Sequence, residues 1–398
     1  MHIPSLYDLS IAGKRVLIRE DLNVPLDGGR ITSDARILAA LPTLQHAIDQ
    51  QAAVMVMSHV GRPHEGCFDP EFSLQPVADY LSQALSQPVR CVRDWIDGIN
   101  VNPGELVLCE NVRFQVGEME NSPALAQKMA SLCDVFVMDA FATAHRAQAS
   151  TAGVAQFADI ACAGPLLVSE INAIGRAMHS PKRPLVAVVG GSKVSTKLSV
   201  LDAMIEKVDV LIVGGGIANT FLAATGIDVG ASLYEPDQLD TARSIMTKSE
   251  QLGVKIPLPT DTLVATEFSP DAVASQRPLD SIAHNEQILD VGPDTAATYQ
   301  AQMAQAQTII WNGPVGVFEF PNFAQGTAAL GQAIADSEAF SLAGGGDTLA
   351  ALDLFDLKNK ISYVSTGGGA FLEYIEGRTL PAIYQLQQRV ITHATDHE

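Results

Sequence analysis

The chain has 398 residues, 47% of them hydrophobic and 18% charged, with a formal net charge of −20. Such a composition fills sizeable cores and excludes a disordered chain, and the acidic balance excludes the basic footprint of nonspecific nucleic-acid binding. Five scattered cysteines without C-x-x-C spacing give no zinc ribbon and no disulfide framework, and no apolar stretch approaches the ~20 residues of a membrane span. The N-terminus, MHIPSLYDLS, lacks the basic-then-apolar order of a signal peptide. These features lead us to expect a cytoplasmic globular protein that binds neither nucleic acid nor membrane. The length predicts two domains at ~100–200 residues each.

In chain order, the first half contains short apolar runs at Arg15–Arg19, Val54–Met57, Leu106–Leu108 and Val135–Met138, read as buried strands. Each run gives way to polar and cationic residues. Asp21 and Asn23 follow the first run. Ser-His59-Val-Gly-Arg62-Pro follows the second, Arg113 the third and Arg146 the fourth. Arg36 lies just past Thr32-Ser33-Asp34, a helix-start cluster. Singly, each arginine reads as a solvated side chain and His59 as a structural histidine. Together they predict convergence on one edge of one sheet. That edge would suit a small, heavily negative ligand, with Asp21 and Asn23 taking its hydroxyl.

A helix is predicted over Glu170–Met178, broken by His179-Ser-Pro-Lys-Arg-Pro184. The expected division is a domain at 1–170, a second at 171–380, and a C-terminal segment at 381–398 that packs back on the first. In the second half, runs at Leu185–Val189, Val210–Val213, Thr308–Trp311 and Ile361–Val364 alternate with periodic segments such as Ser199–Val208, which predicts parallel sheets covered on both faces. Four runs end in glycine turns: Gly190-Gly191-Ser-Lys193, Gly214-Gly215-Gly216, Gly344-Gly345-Gly346-Asp347-Thr348 and Gly367-Gly368-Gly369. Glycine at strand carboxyl ends lets backbone approach a phosphate and opens helices whose N–H groups face it. None of these is a Walker P-loop or a G-x-G-x-x-G fingerprint, and there is no H-R-D or D-F-G set. Lys193 and Lys197 are expected on one helical face at a helix start, where cations make sense beside polyphosphate. Asp347 reads either as a first-turn carboxylate or as a ligand for magnesium, and Glu319 as a surface acid or a ribose-hydroxyl acceptor.

At this point the chain resembles the phosphoglycerate kinase family over nearly its whole length, most closely the bacterial forms. The stretches that carry the likeness are RVLIREDLNVP, TSDARI, SHVGRP, ENVRF, DAFATAHRAQAST, VGGSKVSTK, VGGGIANTF, WNGPVGVFE, GGGDT and STGGGAF. The resemblance implies two doubly wound, Rossmann-like α/β domains facing across a cleft and joined by a hinge helix. It implies reversible transfer of a phosphoryl group from 1,3-bisphosphoglycerate to MgADP, giving 3-phosphoglycerate and MgATP, in a monomer with magnesium and no organic cofactor. By position, Asp21, Asn23, Arg36, His59, Arg62, Arg113 and Arg146 would hold the phosphoglycerate. Gly191, Lys193, Lys197, Gly215, Asn312, Pro314, Val317, Glu319 and Gly345–Thr348 would hold the nucleotide, with Asp347 on the metal. Arg36, Lys197 and the backbone of Gly367–Gly369 would meet the migrating group. Glu20, Ala142 and Thr196 depart from the family's commonest pattern, which usually has an apolar or small residue, Gly and Asp there. A nicotinamide dehydrogenase is disfavoured by the missing fingerprint, and a non-catalytic binding or sensor protein of the same fold by the intact cations.

Overall fold

The computed structural model describes residues 3–395, with side chains through Arg389. The chain forms two compact units, Met1–Ile171 with Thr379–Glu398, and Asn172–Arg378. The first division falls inside the helix Pro165–Met178.

The first unit contains, in chain order, β1 (Arg15–Arg19), the hairpin β2 (Leu26–Asp27) and β3 (Arg30–Ile31), β4 (Ala53–Met57), β5 (Arg90–Val92), β6 (Leu106–Cys109), β7 (Val135–Met138) and β8 (Ile160–Ala163). Six of these form one parallel sheet in the order β5-β6-β4-β1-β7-β8. Val16 sits in register with Val54 on one side and Val135 on the other. Val16, Ile18, Val54, Val56, Val135 and Val137 enter one core with Ile37 and Leu44 of the helix Ala35–Asp49. Their alternates Leu17, Met55 and Phe136 are buried as well. Both faces are covered, which is why these strands read as continuous apolar runs.

The C-terminal helix Pro381–Thr395 belongs to this first unit and packs on residues 149–157 and β8. Leu380, Ala382, Ile383 and Leu386 are buried. The Ala382 amide donates to the Ala144 carbonyl at 3.1 Å. The Arg389 guanidinium donates to the carbonyls of Ala158 and Asp159.

The second unit contains β9 (Leu185–Gly190), β10 (Val210–Gly214), β11 (Asp261–Ala265), β12 (Ser275–Pro278), β13 (Gln287–Val291), β14 (Thr308–Asn312), β15 (Phe340–Ala343) and β16 (Tyr363–Val364). Its parallel sheet has the order β10-β9-β14-β15-β16. A separate antiparallel sheet, β12-β11-β13, adds to the doubly wound pattern predicted from the sequence. Val188, Ile212, Ile309, Trp311 and Ala343 share a core with Leu330 and Leu352 from flanking helices.

Candidate active site

In the first unit, β6, β4, β1 and β7 are adjacent and parallel, so their carboxyl ends lie side by side. Those ends carry Arg113, His59 with Arg62, Asp21 with Asn23, and Arg146. Arg36 joins them from the first turn of the helix Ala35–Asp49. Its guanidinium bonds the Asp21 carboxylate at 3.0 Å and the Asn23 carbonyl at 2.9 Å. The Asn23 side-chain oxygen accepts the Gly61 amide at 3.0 Å, and the Arg113 guanidinium donates to the Gly61 carbonyl. The loop after β4 is thereby held from both sides. Gly61 has φ +59 and lies against the Phe72 ring, so only glycine fits there.

The electrostatics show that these groups crowd together. Burial lowers the Arg113 pKa to about 10, helped by Arg146, Arg19 and Arg62. Burial also depresses the His59 pKa strongly, with Arg19, Arg113, Arg146 and Arg36 adding to the effect. Cations that destabilise one another leave a local surplus of positive charge in an acidic protein. Arg62 is exposed and Arg146 half-buried, so both charges remain open to solvent.

Asp34, read as part of the helix-start cluster, makes no cap hydrogen bond. Its carboxylate accepts the Tyr80 hydroxyl at 2.6 Å instead. Glu20 is 1% exposed. Burial first, and then the neighbouring Asp139 carboxylate, push its pKa well above the carboxylate range. Asp139 itself is raised to about 6 by burial, while accepting the Thr43 hydroxyl at 2.6 Å and the Leu167 amide at 3.0 Å. Burial beside the Asp139 carboxyl thus biases Glu20 toward its neutral form, which lessens the cost of a glutamate at this position. Thr196 donates to the Lys193 carbonyl at 2.9 Å, closing its own turn.

In the second unit, the glycine loops sit at the carboxyl ends of β9, β10, β15 and β16, with Asn312–Pro314 after β14. Gly215 (φ +63), Gly345 (φ +98) and Gly368 (φ +51) are the N-caps of the helices Gly216–Ala224, Gly346–Leu354 and Gly369–Ile375. The Asn312 amide nitrogen donates to the Gly344 carbonyl at 2.7 Å, which turns its oxygen toward Lys197 Nζ at 2.5 Å. Burial lowers the Lys197 pKa, and the charges of Asp347 and Glu376 partly restore it. The Thr348 hydroxyl is buried and accepts the Gly313 amide at 2.8 Å, so it ties two loops together. Gly191, Gly215, Pro314, Val317, Glu319 and Asp347 line a cavity of about 290 Å³ with an apolar wall that includes Leu289 and Val315.

One local expectation is corrected. Lys193 and Lys197 do not share a helical face. The helix is Leu198–Ile205, Lys197 is its N-cap, and Lys193 lies in the loop before the turn at residues 195–197. The positive φ of Gly191 and the turn at residues 195–197 delay the helix. Lys193 is exposed and does not line the cavity; nor do Lys197, Asn312, Gly345, Gly346, Thr348 or Gly367–Gly369. Sequence reasoning also missed groups. Arg19, Glu118 and Ser150 form a buried polar chain beneath His59. The strand carries an arginine at each end, Arg15 exposed and Arg19 buried, and nothing in the sequence tells the two apart. Phe268 and Leu289 of the cavity wall had no motif to mark them.

A model of the family described as phosphoglycerate kinase matches residues 6–378. A phosphoglycerate kinase of Legionella pneumophila (strain Corby) is 60% identical over 98% of this chain and 98% of its own length. One of Coxiella burnetii is 60% identical over 96% and 98%. The Coxiella burnetii phosphoglycerate kinase structure superposes with a TM-score of 0.96 at 59% identity, covering 98% of this chain and all of that one. The Pyrococcus horikoshii phosphoglycerate kinase gives a TM-score of 0.80 at 34% identity, covering 98% and 99%. Two doubly wound α/β units, a cationic sheet edge, a glycine-lined one and this likeness across nearly the full length agree: the chain belongs to the phosphoglycerate kinase family.

Proposed function

We propose that the arginine-lined edge of the first unit holds phosphoglycerate and that the glycine-lined edge of the second holds the nucleotide. The chain is a phosphotransferase of the phosphoglycerate kinase type. It moves a phosphoryl group reversibly from 1,3-bisphosphoglycerate to ADP, giving 3-phosphoglycerate and ATP. The observation that carries the assignment is the convergence of Arg36, His59, Arg62, Arg113 and Arg146 at the carboxyl ends of four adjacent parallel strands. The relatives give no support to a non-catalytic protein of the same fold.

The acyl phosphate is already a good donor and the ADP oxygen is ionised, so neither a protein nucleophile nor a general base is required. Catalysis is positioning plus neutralisation of charge on the migrating group. Arg36 and Lys197 supply cations, and the helix that opens after Gly368 offers backbone N–H groups. Asp21 and Asn23 take the substrate hydroxyl. Pro314 and Val317 contact base and sugar, Glu319 the ribose, and Lys193 and the Gly345–Thr348 loop the phosphates. Closure of the two units with both ligands bound keeps water from the acyl phosphate.

Among the described residues no group of three His, Cys, Asp or Glu side chains could hold a metal. Asp347 offers one exposed carboxylate in the first turn of its helix. That donor set fits magnesium arriving with the nucleotide, which usually takes one or two carboxylates plus phosphate oxygens. When bound, magnesium neutralises phosphate charge. We read the protein as a cytoplasmic monomer, in keeping with five unpaired cysteines. Among the described residues no helix is long and apolar enough to cross a membrane.

The test supplies the purified chain with 3-phosphoglycerate and MgATP and couples the product to NADH oxidation by an acyl-phosphate-consuming dehydrogenase. A signal that requires both substrates and magnesium is expected. A folded protein that shows neither turnover nor calorimetric binding of either ligand would overturn the site assignments.

A further inference from the structure

Arg19 closes β1 with 1% of its side chain exposed. Its guanidinium is committed to three neighbours. Nε donates to the Ser150 hydroxyl at 3.0 Å, Nη1 donates to the Glu20 carbonyl, and Nη2 lies 3.3 Å from His59 Nδ1. Behind Ser150, the buried Glu118 carboxylate accepts both the Ser150 hydroxyl at 2.6 Å and its amide at 2.9 Å. The direction of this chain is therefore fixed. Ser150 gives its proton to Glu118 and receives one from Arg19.

A guanidinium has donors only. His59 Nδ1, facing it, must offer a lone pair, and a neutral imidazole then carries its proton on Nε2. Among the described residues no hydrogen bond engages Nε2. We propose that Arg19 is a positioning residue that holds His59 as the neutral Nε2–H tautomer, so that the imidazole presents a donor, and never a lone pair, to an oxyanion of the acidic substrate. The inference rests on reading this edge as the phosphoglycerate site. The other tautomer would aim a lone pair at a carboxylate or phosphate oxygen. The doubly protonated form would press Nδ1–H against Arg19. Burial, Arg19, Arg113, Arg146 and Arg36 all oppose that form. In this arrangement the arginines supply charge, while His59 supplies a direction that does not change with pH.

The test uses the full chain labelled with nitrogen-15 in its histidine rings. Nitrogen–proton correlation spectra are recorded from about pH 5.5 to 8.5, the range in which an ordinary histidine titrates. His59 signals are assigned by their loss in His59→Gln. One protonated Nε2 and one unprotonated Nδ1, both unmoved by pH, are expected. A protonated Nδ1, or a doubly protonated ring appearing on acidification, would overturn the proposal. In Arg19→Met the ring is expected to titrate or to mix tautomers, and KM for 3-phosphoglycerate to rise about tenfold or more, as loss of a hydrogen bond to a charged group implies. A folded Arg19→Met protein with an unchanged His59 spectrum would also overturn it. If that variant does not fold, the spectrum of the natural protein decides. Adding 3-phosphoglycerate to the unmodified protein should move Nε2 more than Nδ1. If the tautomer holds but neither signal moves, the substrate reading of this edge fails rather than the role of Arg19.

Discussion

Arg36 is exposed enough to reach a ligand, yet it is already anchored by Asp21 and the Asn23 carbonyl. Such a cation costs little reorganisation when charge develops nearby. Arg36→Ala is expected to lower turnover by about 10²–10³, the usual effect of removing a transition-state donor. Near-normal kcat with only a raised KM in steady-state assays would show that Arg36 merely binds. Glu20 and Asp139 make a second prediction at this scale. Their pKa values are raised in the folded protein, that of Asp139 to about 6. The folded state therefore keeps protons that the unfolded chain releases. This contribution to stability is complete below the unfolded carboxylate pKa and is lost as pH rises through the folded values. Urea midpoints should correspond to a loss of about 1–3 kcal/mol between pH 5 and 8, on the scale of ~1.4 kcal/mol per pKa unit. Glu20→Gln should flatten that slope, because the proton that Glu20 holds more tightly in the folded state no longer contributes to it.

At the level of elements, the glycine loops combine close approach with conformation. A Cβ on Gly190 would collide with the Pro314 carbonyl oxygen, where the chain leaving β14 crosses the end of β9. Backbone cannot swing aside as a side chain can. Gly190→Ala should destabilise the second unit by about 1–3 kcal/mol, the usual cost of overpacking, read as a lower urea midpoint. Sheet strands buried on both faces, such as Val135–Met138, were legible in the sequence because every residue in them is apolar. The antiparallel sheet was not legible: β12 reads Ser-Gln-Arg-Pro with no residue fully buried, so hydrophobicity gave it no signature. The cationic edge could be read because each arginine follows a strand, and strand order does the rest. Arg19 was hidden because a strand-ending arginine looks the same whether solvated or buried. The lysine pair was misplaced because periodicity does not reveal that a helix waits for a turn to finish.

On the scale of the whole molecule, each unit carries its own core, so unfolding need not be a single transition. Saturating 3-phosphoglycerate should raise one calorimetric transition and MgATP the other, each by about 2.7 kcal/mol at a hundredfold excess over Kd. Small-angle scattering should show compaction only with both ligands. Stopping the chain after Arg378 should strike the first unit alone. At ~1.5–3 kcal/mol for each fully buried Leu or Ile, Leu380, Ile383 and Leu386 together supply about 5–9 kcal/mol, as much as an entire domain's stability. The truncated protein should lose the first transition and keep the second.

That C-terminal helix also bears on the order of events at the ribosome. The first unit is made first, but its last wall is made last, after the roughly 200 residues of the second unit. At about 5–20 residues per second, the nascent first unit waits on the order of 10–40 s with the surface beneath the missing helix uncovered. During that interval the second unit can complete its own core while the first cannot. Residues 149–157 and β8, the surface that the helix later covers, are where a chaperone would find this chain in the cell.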